Sequence, residues 1–293
     1  MENGNDPKHV EIFFICFFFK KPVFVKMLIY FLFIYFNFYI IKVMKNYKQW
    51  HDEKNTFFNE FKIMFGQCNL RHELSITEIL RILSDTAVED YAQRGMTWQY
   101  LDEREVAILL SRASYHFIRR PLSNEEVTIR TWEESPEGLQ LTRAYEILDK
   151  DNNVLISGRS TWLVVNPKTR RIMKPSQFDL REPPNRKEPY DGIPCGKIAV
   201  PENMVHIDTR PVRFSDLDGN GHVNNSRYGA YTVDSLPEEL LSRPIKDMRI
   251  NYSKEAVPGN VIEIYALVSD DKSKITVVGK QEQNTCYECE LYF

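Results

Sequence analysis

Residues 216–225 read Asp-Leu-Asp-Gly-Asn-Gly-His-Val-Asn-Asn. Two acids, three amides and a histidine fall within ten residues, at a strand-to-helix turn. A helix N-terminus offers unpaired N–H groups and a positive partial charge. A carbonyl placed there becomes more electrophilic, and the oxyanion that develops on it is stabilised. Backbone N–H groups near Asn224 and Asn225 are the candidates to receive it. Gly219 and Gly221 permit a tight turn and close approach of a substrate. Asp218, Gly219 and Asn220 also suit a turn with no chemical role, since Asp, Gly and Asn favour turns. His222 is harder to account for that way. It sits beside the helix cap, two residues after Asn220 and four after Asp218.

The elements that position this segment follow from periodicity. Residues 57–65 read as a strand, with apolar side chains at Phe57, Phe61, Ile63 and Phe65. Ser75 and Glu78 fit a capping box. Ile76, Ile79, Leu80, Leu83 and Ala87 then share one helical face. The helix should end near Gln93, before Gly95. Strand-like runs follow at 107–117, 125–132, 139–148 and 154–165, separated by turn residues. The same order begins again near Val205. A strand spans 205–214, the turn 216–223, and a helix 224–236 that Pro237 ends or kinks. Strands follow at 246–252, 261–268, 274–281 and 286–293. Residues 180–196 carry Pro183, Pro184, Pro189 and Pro194, a linker composition. The pattern implies an α+β fold built as a tandem, or double, hotdog, each antiparallel sheet wrapped around a central helix. The expected division is an N-terminal extension at 1–43, a first hotdog at 44–178, a linker at 179–203 and a second hotdog at 204–293.

The run Asp-Leu-Asp-Gly-Asn-Gly-His-Val-Asn-Asn-Ser-Arg-Tyr at 216–228 closely resembles the signature of plant and bacterial acyl-ACP thioesterases. A second resemblance lies at 160–171, Ser-Thr-Trp-Leu-Val-Val-Asn-Pro-Lys-Thr-Arg-Arg. Together they extend over most of the chain from Phe57 onward. The resemblance implies hydrolysis of fatty acyl-ACP thioesters, with Asp218, Asn220 and His222 in the active site. It also assigns the family's catalytic glutamate, on the strand after the helix, to Glu255 in Ile-Asn-Tyr-Ser-Lys-Glu. Glu255 would be the general base for water or a direct nucleophile. Asp218 would orient Asn220 and His222 by hydrogen bonds. Many plant members carry a cysteine after the glutamate; here the residue is Ala256, so no thiol at that place attacks the thioester. In the first copy Asn69, Arg71 and Glu73 align with Asp218, Asn220 and His222, so the triad is absent there. The first hotdog is therefore expected to shape the acyl cavity, with Ile76, Leu80, Leu83, Met96 and Trp98 as candidate lining. The implied partner is acyl carrier protein with its 4'-phosphopantetheine-linked acyl chain. Because that protein is acidic, a basic docking surface is expected. Arg119, Arg120, Lys168, Arg170, Arg171 and Lys174 are the candidates. A hotdog acyl-CoA thioesterase, a non-catalytic acyl-binding protein and a hotdog hydratase are the competing readings; Glu255 weighs against the hydratase.

Composition bounds these readings. With 38 basic and 41 acidic residues and a net charge of -3, the chain gives no support for nucleic-acid binding. Five cysteines at irregular spacing are not a disulfide framework. They indicate a reducing compartment, here the cytoplasm. Cys286 and Cys289 form a C-x-x-C pair with no second pair to complete a metal site, and neither metal nor cofactor is expected. Residues 13–43 are dense in Phe, Ile and Tyr. Their longest uncharged run, 27–41, rises about 22 Å as a helix, short of a hydrocarbon core of about 30 Å. Lys20, Lys21 and Lys26 break any signal-peptide pattern. The segment reads as a membrane anchor with possible membrane contact, or as translated upstream sequence with Met44 as the start.

Overall fold

The computed structural model describes residues 47–178 and 187–293. The 1–43 extension and part of the 179–203 linker lie outside the described residues. Residues 48–293 form one compact unit. Its strands are β1 (Gln49–His51), β2 (Phe57–Lys62), β3 (Ala107–Phe117), β4 (Glu126–Glu137), β5 (Gln140–Leu148), β6 (Val154–Asn166), β7 (Arg171–Ile172), β8 (Val205–Pro211), β9 (Asp247–Tyr252), β10 (Val261–Val268), β11 (Lys274–Gln281) and β12 (Asn284–Tyr292). The helices are α1 (Ile76–Gln93), α2 (Trp98–Glu103), α3 (Asn225–Asp234) and α4 (Glu238–Leu241).

The strands join in one antiparallel sheet ordered β1-β2-β4-β5-β6-β3-β9-β12-β11-β10-β8, with β7 beside β6. The second half repeats the first in mirror order about the β3–β9 pair. There Ser114 lies opposite Arg249, at the middle of a register running from Arg112↔Asn251 to His116↔Asp247. This is the tandem hotdog that the element order predicts. Each half-sheet encloses one long helix because its strands alternate: Ile262, Ile264 and Ala266 of β10 turn inward, for instance, while their neighbours are more exposed.

Local chemistry sets the helix ends. Ser75 Oγ accepts the N–H of Glu78 at 3.3 Å and starts α1. The Glu78 carboxylate does not return to the cap; Arg81 and Gln67 take it. Gly95, at φ +87°, follows the last turn. Asn224 caps α3 through Ser226 N–H at 2.9 Å, and Pro237 starts α4. Strands β2 and β8 stop earlier than the pattern predicts. Short 3-10 turns at Phe65–Gln67 and Phe214–Asp216 lead from them into the loops before α1 and α3.

The two helices meet where Gly229 of α3 faces α1. A Cβ there would lie 2.6 Å from Leu80 and 3.4 Å from Ile76. Ile76, Leu80 and Leu83 are accordingly buried in the core rather than on a cavity. Among the described residues no helix is long and apolar enough to cross a membrane. The four described cysteines are free. Cys286 and Cys289 lie within the packed sheet, where burial pushes their thiols up to about 11 and about 12. They are protonated at neutral pH.

Candidate active site

The loop before α3 closes on itself. Asp218 N–H donates to the His222 carbonyl at 2.8 Å. The Asp218 carboxylate accepts the backbone N–H of Asn220 at 2.8 Å and of His222 at 3.4 Å. Asp218 thus shapes the loop through its backbone, rather than by holding the Asn220 and His222 side chains as the family resemblance led us to expect. Asn224 N–H donates to the Asp216 carbonyl at 2.8 Å, and neither Asn224 nor Asn225 lines the groove described below. The Asn224 N–H, one of the oxyanion receivers expected from sequence, is thus already taken within the loop. The groove is lined by the polar residues Asn220, His222, Glu255 and Arg170, with Asp102, Thr142 and Arg143.

Glu255 sits in the loop beyond β9, three residues past the strand. Val223 N–H donates to the Ala256 carbonyl at 2.9 Å, tying the two segments together next to their functional side chains. His222 Nε2 and Glu255 Oε2 stand 3.6 Å apart, slightly beyond a hydrogen bond. Each side chain is about one third exposed, at 33% and 35%. Arg170, from the turn between β6 and β7, donates to the same Glu255 oxygen at 3.0 Å. The pair from the second hotdog is thereby bridged to the first. Ala256 is fully buried.

These side chains open onto a groove of about 600 Å³. Its far wall comes from the first hotdog: Ala87, Val88 and Tyr91 of α1, Trp98 and Leu101 of α2, Leu141 of β5 and Trp162 of β6. Of the expected lining only Trp98 faces it. Met96 packs instead with Leu141, Val164 and Phe178 in a small core of its own. The groove lies farther along α1 than Ile76, Leu80 and Leu83, beside Ala87, Val88 and Tyr91. At its inner end Arg143 and Tyr91 reach a buried ionic cluster. Arg143 Nη2 lies 2.7 Å from Asp90 and 3.8 Å from Glu133, and Tyr91 donates to Glu133 at 2.6 Å.

The expected basic residues divide. Arg119 is paired to Glu125 at 2.6 Å. Arg120 is buried against Glu73, so these two do not form a free cationic surface. Lys168 pairs with Glu105 at 2.8 Å. Arg170, Arg171 and Lys174 are exposed near the groove mouth or just beyond it.

The first copy preserves the loop and not the chemistry. Asn69 N–H donates to the Glu73 carbonyl at 2.8 Å, and the Asn69 side chain accepts from Arg71 N–H at 2.9 Å and Glu73 N–H at 3.1 Å. Leu74 N–H donates to the Pro121 carbonyl at 2.7 Å, as Val223 does to Ala256. This places Arg120 opposite Glu255 and Glu73 opposite His222. A cavity of about 790 Å³ adjoins that pair. It offers an ion pair where the groove offers an imidazole and a carboxylate. Arg71 donates to the Leu241 carbonyl of the other half at 2.7 Å, so the counterpart site is a clasp. Glu73→Ala leaves a guanidinium only 8% exposed without its partner. We expect a loss of about 3 kcal/mol in urea unfolding, with turnover per folded molecule unchanged.

Fold and loop geometry together define a tandem-hotdog protein with one equipped site and one altered copy. Models of the acyl-ACP thioesterase N-terminal domain and C-terminal domain match residues 54–177 and 201–291. The chain belongs to the acyl-ACP thioesterase family. It is 28% identical over 169 residues to oleoyl-acyl carrier protein thioesterase 1, chloroplastic, of Arabidopsis thaliana, covering 52% of this chain and 46% of that protein. The Coriandrum sativum oleoyl-acyl carrier protein thioesterase is 28% identical over 185 residues, 58% of this chain and 49% of that one. The chain spans about half the length of these curated relatives. The fold is also that of an acyl-ACP thioesterase from Bacteroides thetaiotaomicron (TM-score 0.70, 23% identity, 82% of this chain and 98% of that one). The 12:0-ACP thioesterase from Umbellularia californica shares it (TM-score 0.73, 18% identity, 83% and 98%).

Proposed function

We propose that the chain hydrolyses fatty acyl-ACP thioesters, releasing a free fatty acid and holo-ACP, as a step of fatty acid biosynthesis. The observation that carries this reading is the approach of His222 and Glu255 to 3.6 Å at the mouth of a groove walled largely by apolar side chains. The acyl chain lies in the groove and the thioester carbonyl at its mouth. Glu255 takes a proton from water, whose oxygen attacks the carbonyl carbon. The carbon–sulfur bond breaks, and His222 relays the proton taken up by Glu255 to the departing thiolate, so both side chains end as they began. Asn220 donates its side-chain amide to the oxyanion. Asp218 acts through the loop, and Arg170 orients the Glu255 carboxylate. A reducing cytoplasm suits the free cysteines.

Acyl carrier protein presents the substrate on its phosphopantetheine arm, and its acidic surface meets Arg171 and Lys174. The test is a comparison of carriers. An Arg171→Glu/Lys174→Glu variant should raise KM for acyl-ACP about tenfold at low salt and leave a small acyl thioester unaffected. Equal turnover of acyl-CoA and acyl-ACP of one chain length, with no effect of the charge reversal, removes the carrier protein from the reading.

A further inference from the structure

The groove ends on charge. Leu141, Arg143, Tyr145 and Ile147 share one face of β5, because alternate residues of a strand point the same way. Leu141 and Arg143, with Thr142 between them, line the groove, whereas Tyr145 and Ile147 belong to the packed core. Arg143 is therefore the innermost lining residue on that strand. Its guanidinium is fixed from three sides, by Asp90 at 2.7 Å, Glu133 at 3.8 Å and Thr131 Oγ1 at 3.2 Å. Asp90 is held in turn by His51 at 2.8 Å and Arg94 at 3.0 Å. A hydrocarbon end advancing past Arg143 would have to part these ions without offering them a hydrogen bond.

The sheet register gives the depth of the groove. Val165 lines it beside Pro167 and Arg170, at the end where Arg170 meets Glu255. Arg143 lies opposite Ser160 on the same strand, β6. Those five residues of strand advance about 17 Å, at about 3.3 Å and three bonds per residue. An extended alkyl zigzag advances slightly farther per bond, about 1.25 Å, so a length of about 17 Å holds about 13 carbons.

We infer that Arg143 is the end stop of the groove, and that the substrate class is medium-chain acyl thioesters of up to about 14 carbons. The chain-length assignment rests on the hydrolase reading; the end stop itself needs only the groove. Each methylene buried before the stop strengthens binding up to about fourfold, and methylenes beyond it add nothing or must bend back toward solvent.

The experiment measures two profiles on the full chain. One is kcat/KM for straight-chain acyl-ACPs of about 8 to about 18 carbons; the other is displacement of a fluorescent fatty acid by free fatty acids of the same lengths. Both should rise to about 12–14 carbons and fall at least about tenfold by the longest. Arg143→Met/Asp90→Asn removes the charge pair at similar volume and should move the fall outward by two or more carbons. Ala87→Leu, which adds bulk to a lining residue one turn before Asp90, should move it inward. Undiminished use and binding of the longest chains by the unaltered protein overturns the inference, and so does an unshifted profile in a folded double variant. Stepped displacement without hydrolysis of any acyl-ACP sinks the hydrolase reading and leaves the end stop standing.

Discussion

A Glu255→Ala chain should fold like its parent and hydrolyse acyl-ACP about 10²–10⁴ times more slowly. Folding is spared because the carboxylate is about one third exposed and its ion pair reaches to Arg170, itself 78% exposed. Surface pairs of this kind contribute about 0–1 kcal/mol. The loss should appear in kcat, since the base acts on water and makes no contact that a bound acyl chain needs. Glu255→Gln separates two roles. An amide can still accept from Arg170 and keep the turn in place, but it cannot take up a proton from water. Glutamine as slow as alanine supports the base, while glutamine near the parental rate would reduce Glu255 to an anchor for Arg170. His222→Ala supplies the second arm. If His222 and Glu255 act as a unit, the double variant is little slower than either single one. Independent effects would multiply, and that outcome would separate the two residues mechanistically despite their 3.6 Å approach.

Much of the fold was legible because its elements obey simple periods. The face of α1, the alternation of β10 and the cap at Ser75 all follow from residue types and spacing. The bridged pair at the site was less legible. Arg170 and Glu255 are 85 residues apart and meet through the turn between β6 and β7, which no local pattern places beside the loop after β9. Arg170 did stand out in sequence, but as one of a cationic run. Periodicity also gave the face of α1 without saying where along it a cavity opens. Helix α3 presses Gly229 against Leu80, so that end of α1 is core, and the groove begins near Ala87. The loop's backbone bonds were hidden for another reason. The donation from Asn224 N–H to Asp216 depends on how the turn closes, which side-chain types do not specify.

The buried charge pair beside the groove has a sequence signal of its own. On β5 the inward series Leu141, Arg143, Tyr145, Ile147 places an arginine among apolar residues, and on α1 the series Ile79, Leu83, Ala87, Asp90 does the same with a carboxylate. Two opposite charges on facing apolar surfaces are a buried pair, since neither is tolerated there alone. At the corresponding helix of the second hotdog Tyr228 stacks on Tyr287, with ring centroids 4.7 Å apart. The repeat therefore diverged in its interiors as well as its loops. One half lines a groove with Arg143, the other packs Tyr228 and Tyr287 among aliphatic side chains.

That pair carries the largest stability effect we expect. Asp90→Ala leaves the Arg143 side chain, 4% exposed, with Glu133 at 3.8 Å as its remaining acid. Stranding a buried ion in this way costs about 3–5 kcal/mol, a fall of about 10 °C in Tm for a chain of this size. Asp90→Asn should lose less, because the amide still accepts from Arg143 and matches the carboxylate in shape. The effect has a definite pH sign. Burial alone would raise the Asp90 carboxyl, but the Arg143 and Arg94 charges, with a hydrogen bond from His51, hold it below the usual carboxylate range. A depressed folded value means the stabilisation is complete above the ordinary aspartate value of about 4 and is lost as pH falls through the folded one. Wild-type and Asp90→Ala melting curves should therefore be far apart at neutral pH and converge in acid. A gap that stays constant down to the acid limit would assign the loss to packing, and the ionic account of the groove floor would go with it.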